Sequence, residues 1–88
     1  MALPGDVVRA LAAYPEAARR DLDKLDGAVP ELARVARCVM FLAGGDPAKL
    51  AQFAAAALLD YRDVIWWAEY DGGETKLRSF MQPLDAVE

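Results

Sequence analysis

A chain of 88 residues and 9.6 kDa has the length for one domain and one core. Folding at this size buries roughly 60 to 65% of the unfolded surface, so such domains are often completed by a partner. The chain is 56% hydrophobic with few Gly and Pro, and its net charge is -4 with no segment that concentrates Lys or Arg; these features exclude a disordered chain and argue against nucleic acid or an anionic membrane as partner.

What is missing narrows the chemistry. There is no His and no Asn, one Ser (Ser79) and one Thr (Thr75), so most nucleophile, base and imidazole-ligand chemistry lacks its raw material. No catalytic residue, metal or cofactor is therefore expected. The single Cys38 has no partner for an intramolecular disulfide, and Met1 to Pro15 shows no basic stretch followed by a continuous apolar one. Asp60, Arg62 and Asp63 interrupt the longest apolar run, which disfavours a membrane span. The expected location is cytoplasmic.

In chain order, Pro4-Gly5-Asp6 reads as a helix start, with Asp6 as N-cap of a first helix over 6–13 that presents Val7, Val8, Leu11 and Tyr14. Pro15 breaks or kinks the chain and suits the first turn of a second helix, 16–26, with Ala18, Leu22 and Leu25 on its buried face. Asp21, Asp23 and Asp26 do not all share one face and lack the glycine of a calcium loop, so they read as a solvated surface. Gly27 ends this helix and Pro30-Glu31 starts a third, 30–43, closed by Gly44-Gly45. Its apolar arc is Leu32, Val35, Ala36, Val39, Leu42 and Ala43; Arg34 and Arg37 lie opposite, with Phe41 between them and Cys38, a partly buried thiol, at the border.

Asp46-Pro47 is an N-cap followed by proline at the first helical position, and opens a fourth helix, 47–70. Leu50, Phe53, Ala57, Tyr61, Val64 and Ala68 recur at three- and four-residue spacings. A continuous helix would be about 36 Å long and would form the spine of the fold; the rival is a kink or break near Asp60, because Asp60-x-x-Asp63 resembles a fresh N-terminus. The run Ala54 to Ala57 invites a close helix crossing. Asp71-Gly72-Gly73 ends the helix, glycine supplying the left-handed cap, and residues 74–88 form an apolar but largely irregular tail with Leu77, Phe80, Met81, Leu84 and Val87.

The carboxylates Asp60, Asp63, Glu69, Asp71 and Glu74 cluster in sequence but not in helical phase, and capping, intrahelical pairing and solvation account for them. The aromatics are the sharper feature. Adjacent residues differ by about 100° on a helix, so Trp66 and Trp67 cannot both enter the face owned by Val64, Ile65 and Ala68. Leu59, Trp66, Trp67 and Tyr70 then form an outer set that is covered either by the tail, through Leu77, Phe80 and Met81, or by another chain. A small apolar ligand held beside Trp66 and Trp67, with Tyr61, Arg62 and Gln82 as polar groups, is the alternative.

The segment Leu42-Ala43-Gly44-Gly45-Asp46-Pro47-Ala48-Lys49-Leu50, followed by Asp60-Tyr61-Arg62-Asp63-Val64, resembles a pattern of small uncharacterised bacterial helical proteins. The resemblance covers the middle third of the chain and implies an all-α fold without implying any activity. The resulting expectation is an all-α bundle of about four helices, a single domain over 1–73, and a tail over 74–88 packing on the domain or on a partner subunit. The expected function is that of a non-catalytic interaction module, a homodimer or a binder of another protein. Its contact residues would be Phe41, Leu59, Trp66, Trp67, Tyr70, Leu77, Phe80 and Met81.

Overall fold

The computed structural model describes residues 3–84; Met1, Ala2 and the end of the tail, including Val87, lie outside the described residues. Four helices follow one another, α1 (Gly5–Leu11), α2 (Glu16–Asp23), α3 (Leu32–Ala43) and α4 (Pro47–Tyr70), with no strand among the described residues. α3 packs against α4, α2 lies on α4, and α1 lies on α3. The all-α bundle follows from the patterning, since each helix turns a stripe of apolar residues toward one core. Val7, Leu22, Leu25, Val35, Val39, Leu50 and Val64 are completely buried in it. No described helix is long and apolar enough to cross a membrane.

The helix boundaries differ from the expected ones at positions with a visible cause. α1 starts at Gly5, preceded by Pro4 with an extended backbone, and Asp6 makes no capping bond. Its carboxylate is drawn instead to Arg37 on α3. α2 ends at Asp23, three residues short of 26, because the chain tightens into bonds from Leu25 N to Leu22 O and from Asp26 N to Asp23 O. This tighter turn still delivers Leu25 to the core. α3 begins two residues late because Glu31 adopts a left-handed conformation (φ 52°), from which its carbonyl accepts the Val35 N–H at 3.0 Å.

The start of α4 is built as the residues imply. Asp46 accepts from Ala48 N at 2.9 Å and from Lys49 N at 3.5 Å, and Pro47 costs no bond at the first helical position. Just before it, Gly44 and Gly45 take φ values of 57° and 92°, which suit residues without a Cβ. The Gly45 N–H is fixed by the Tyr14 hydroxyl at 2.8 Å, tying the end of α3 to the turn after α1.

α4 is not a straight spine. Asp60 leaves helical geometry (φ -157°, ψ 100°), and its carboxylate accepts from the Arg62 N–H and the Arg62 guanidinium, each at about 3.0 Å. Asp60 is thus the N-cap of a new helical arm, as the Asp60-x-x-Asp63 alternative anticipated. Ring contacts reveal the size of the bend. Phe53 and Trp67 are fourteen residues apart, about 21 Å along a straight helix, yet their ring centroids meet edge to face at 6.0 Å. α4 is therefore an elbow with two arms, and α2 lies on α4, its Asp21 and the following Lys24 sharing a small cavity with Ala51, Ala54 and Ala55 of the first arm.

Leu22 and Leu59 separate core from surface on the same chain, being 0% and 90% exposed. Leu22→Ala is expected to cost about 2 to 5 kcal/mol through lost transfer energy and a cavity, whereas Leu59→Ala is expected to stay within about 0.5 kcal/mol. Urea unfolding followed by far-UV circular dichroism checks both.

Candidate functional site

The polar face of α3 does not meet solvent as its spacing implies. Arg34 and Arg37, three residues apart, reach in the same general direction and each closes on a carboxylate from a distant element. Arg34 holds Glu69 on the second arm of α4 with two parallel bonds, Nε to Oε2 at 2.8 Å and Nη2 to Oε1 at 2.7 Å. Arg37 holds Asp6 on α1 through Nε at 2.9 Å and Nη2 at 3.2 Å. Planar, bidentate pairing of this kind is the geometry a guanidinium offers and an ammonium does not.

Glu69 is completely buried, which overturns its placement on a solvated face. Four positions after Ile65 and next to Ala68, it sits in the sector that faces inward, and Arg34 makes that position tolerable for a charge. The tail then completes the site. Its Phe80 N–H donates to Glu69 Oε2 at 3.1 Å, Lys76 Nζ lies 3.4 Å from Oε1, and the N–H groups of Leu77 and Arg78 donate to the Glu69 main-chain carbonyl at 2.7 and 3.3 Å. Asp6 does the same one step further on, accepting from the Leu84 N–H at 3.0 Å, while Arg37 Nη1 donates to the Phe80 carbonyl at 3.2 Å. Residues 74–84 thus form an irregular strap bound across the ends of α1, α3 and α4 by two ion pairs that bridge them.

Each charge has a definite protonation state. Burial pushes the Glu69 carboxyl up, but the Arg34 hydrogen bonds, the Phe80 amide and the charges of Arg34 and Lys76 together outweigh it and hold the group below its ordinary value. Asp6 follows the same balance, with burial opposed by Arg37 and the Leu84 amide. Cys38, buried rather than at the border, is pushed up to about 12, first by burial and then by the nearby Glu69 charge, so its thiol stays protonated. Both oxygens of Glu69 are engaged, and the site holds a segment of chain in place. Among the described residues no cluster of three or more carboxylates and thiols has the geometry to hold a metal.

The residues expected at a contact surface divide into two groups. Phe80 is completely buried and belongs to this chain's own core; its ring lies 5.1 Å from Phe41, and the Arg78 guanidinium covers the other part of Phe41 at 4.7 Å. Trp67, expected on the outer face, is half-buried against Phe53 and the core. Trp67 lies three positions after Val64 on the second arm, at the flank of its inner face, and the bend at Asp60 brings Phe53 of the first arm against that flank. Tyr70 is half-buried as well. Phe41 on α3, Leu59 at the elbow, Trp66 on the second arm, and Leu77 and Met81 on the strap remain exposed, at 42, 90, 46, 55 and 63%. Trp66 is anchored by its Nε1, which donates to the Gly73 carbonyl at 2.8 Å where the strap leaves α4.

A second feature lies at the elbow. An open cleft of about 430 Å³ is lined by Ala28, Val29, Pro30 and the residues from Ala57 to Arg62. It includes Tyr61 and Arg62, two of the three polar groups expected around a ligand, but neither tryptophan. Comparison of the chain with protein-family models, with curated proteins and with solved structures finds no match.

Removing the Glu69 carboxylate leaves the part-buried Arg34 charge with only the half-exposed Glu31 carboxylate at 3.5 Å, so Glu69→Ala is expected to cost about 3 kcal/mol. Denaturant unfolding gives that value, and the Trp66 emission reports release of the strap. Since Glu69 and Asp6 both ionise below their ordinary values, the stability they contribute is complete above the unfolded pKa values of about 4 and is lost as pH falls through the lower folded ones. Thermal midpoints measured from pH 6 to pH 2 are expected to drop across the acid end, and Asp6→Asn is expected to flatten that drop.

Proposed function

We propose that the chain is a non-catalytic helical interaction module that self-associates as a homodimer through apolar surface on the second arm of α4 and on the strap. The observation that supports this reading is what remains outside the core once the strap is in place. Even with Phe80 and Trp67 absorbed, Phe41, Leu58, Leu59, Trp66, Leu77 and Met81 stay exposed on a domain of 88 residues. Leu77 and Met81 lie on the strap, Phe41 packs on its Phe80 ring, and Trp66 bonds the Gly73 carbonyl just before it begins. Large rigid aromatics and methionine are favoured at protein contacts, and scattered single exposures would not gather around one segment.

The elbow cleft favours a second reading, a small ligand bound between Pro30 and Tyr61. The two readings differ in mass. Sedimentation equilibrium at micromolar concentration is expected to give about twice 9.6 kDa for the native chain and the single mass for Met81→Lys and Trp66→Ala. A native monomer at these concentrations refutes the homodimer, and saturable binding of a small apolar compound by that monomer, lost in Ala57→Trp, would establish the second reading.

A further inference from the structure

The strap is held in a manner unlike the rest of the core. Five of its contacts are made to its main chain: the N–H groups of Leu77 and Arg78 on the Glu69 carbonyl, the Phe80 N–H on the Glu69 carboxylate, the Phe80 carbonyl on Arg37, and the Leu84 N–H on Asp6. Side-chain identity enters mainly at Phe80, sunk completely into the core, and at Arg78, whose Nη1 donates to the Ala68 carbonyl at 2.6 Å while its guanidinium covers Phe41. Main-chain recognition by fixed donors and acceptors, with one aromatic anchor in a socket, is how proteins bind peptides. The groove's own reading groups, Arg34 with Glu69 and Arg37 with Asp6, lie on α1, α3 and α4 and bond one another without the strap.

We infer that the groove between α1, α3 and the second arm of α4 is a peptide-binding site, and that its occupant in trans is the 74–84 strap of a second copy of this chain. The inference deepens the homodimer reading and rests on it for its use in the cell. The chain leaves α4 through Asp71 and Gly72, both at positive φ (50° and 75°), in a turn closed by the Gly72 N–H on the Trp66 carbonyl and the Gly73 N–H on the Tyr70 carbonyl, which tethers the strap beside its groove. A strap tethered a few residues from its groove acts as a ligand at an effective concentration on the order of millimolar. Occupation in cis therefore dominates in dilute solution, and exchange between copies takes over when the chain is concentrated or the cis strap is weakened. The Arg78-x-Phe80 spacing sets the preference of the site, which accepts an aromatic two residues after a cation.

The experiment uses the full chain carrying Phe80→Ala and a fluorescently labelled peptide with the native sequence of residues 74–84, read by anisotropy. Saturable binding is expected, at least about ten times tighter than to the native chain, whose own strap competes at the tethered concentration, and it is lost when the peptide carries the same Phe80→Ala change. Should Phe80→Ala fail to fold by circular dichroism, the full chain carrying Arg78→Ala takes its place; it loosens the strap by removing the bonds to Ala68 and Asp71, leaves the Arg34–Glu69 and Arg37–Asp6 pairs intact, and is expected to bind the peptide more tightly than the native chain does. A folded variant with no saturable binding, or with the same affinity as the native chain, overturns the inference. That failure is distinct from failure of the homodimer reading: a dimeric native chain whose groove takes no peptide removes only strap exchange, and a monomeric one whose groove binds removes only the dimer.

Discussion

The bidentate pair of Arg34 and Glu69 is the contact on which the arrangement of the other elements depends. It joins α3 to the second arm of α4 across thirty-five residues of sequence, and it sets down a carboxylate where the strap needs an acceptor. A buried ion pair adds little net stability, because desolvation of both partners offsets most of their attraction. Its effect is on geometry. An unpaired charge at either position is costly, so arrangements that separate α3 from the second arm of α4 are penalised while the observed one is not. Apolar packing alone would leave the angle and register of the two helices less defined, since hydrophobic contact has no direction.

The elbow in α4 makes that pairing reachable. A straight helix of twenty-four residues would carry Glu69 about 33 Å from Pro47 along the axis, nearly the whole 35 Å of the molecule's longest dimension. Bending at Asp60 brings the second arm back beside the first, where Trp67 meets Phe53. One residue outside helical geometry suffices, because its carboxylate replaces a lost backbone partner by accepting the Arg62 N–H. The bend turns Leu59 outward and opens the cleft beside Pro30, so a fully exposed leucine and a concavity of about 430 Å³ share one origin.

The strap extends the same logic from helices to irregular chain. Its main-chain groups find partners on side chains that the helices have already fixed, which gives residues without helical hydrogen bonds a defined path. The result is a domain in which polar groups decide where an apolar anchor goes. Phe80 is among the largest side chains completely enclosed, yet the segment carrying it is attached largely by hydrogen bonds to two carboxylates and an arginine. The strap covers part of the apolar surface and leaves Trp66, Leu77 and Met81 bare.

Much of this was legible in the residues alone. Four helices, the cap at Asp46-Pro47, the glycine stop at Gly44-Gly45 and the inward positions Leu22, Val39, Leu50 and Val64 follow from periodicity and local turn chemistry, which act over a few residues and leave their mark in the order of the chain. The candidate site was only partly legible: Leu59 and Trp66 are exposed as their phase implies, Phe80 and Trp67 are taken inside, and the exposure of Leu77 and Met81 on the irregular tail had no periodicity to announce it. Glu69 had a local signal, four residues after Ile65 on the inner face, but a lone acidic residue there is explained only by an arginine thirty-five positions earlier. Helix class, boundaries to within a few residues and the apolar stripes were determined by sequence, because each depends on interactions between near neighbours. The bend at Asp60, the burial of Glu69 and the path of the strap were decided by tertiary structure, because ion pairs and ring contacts between distant residues choose among local conformations of nearly equal energy.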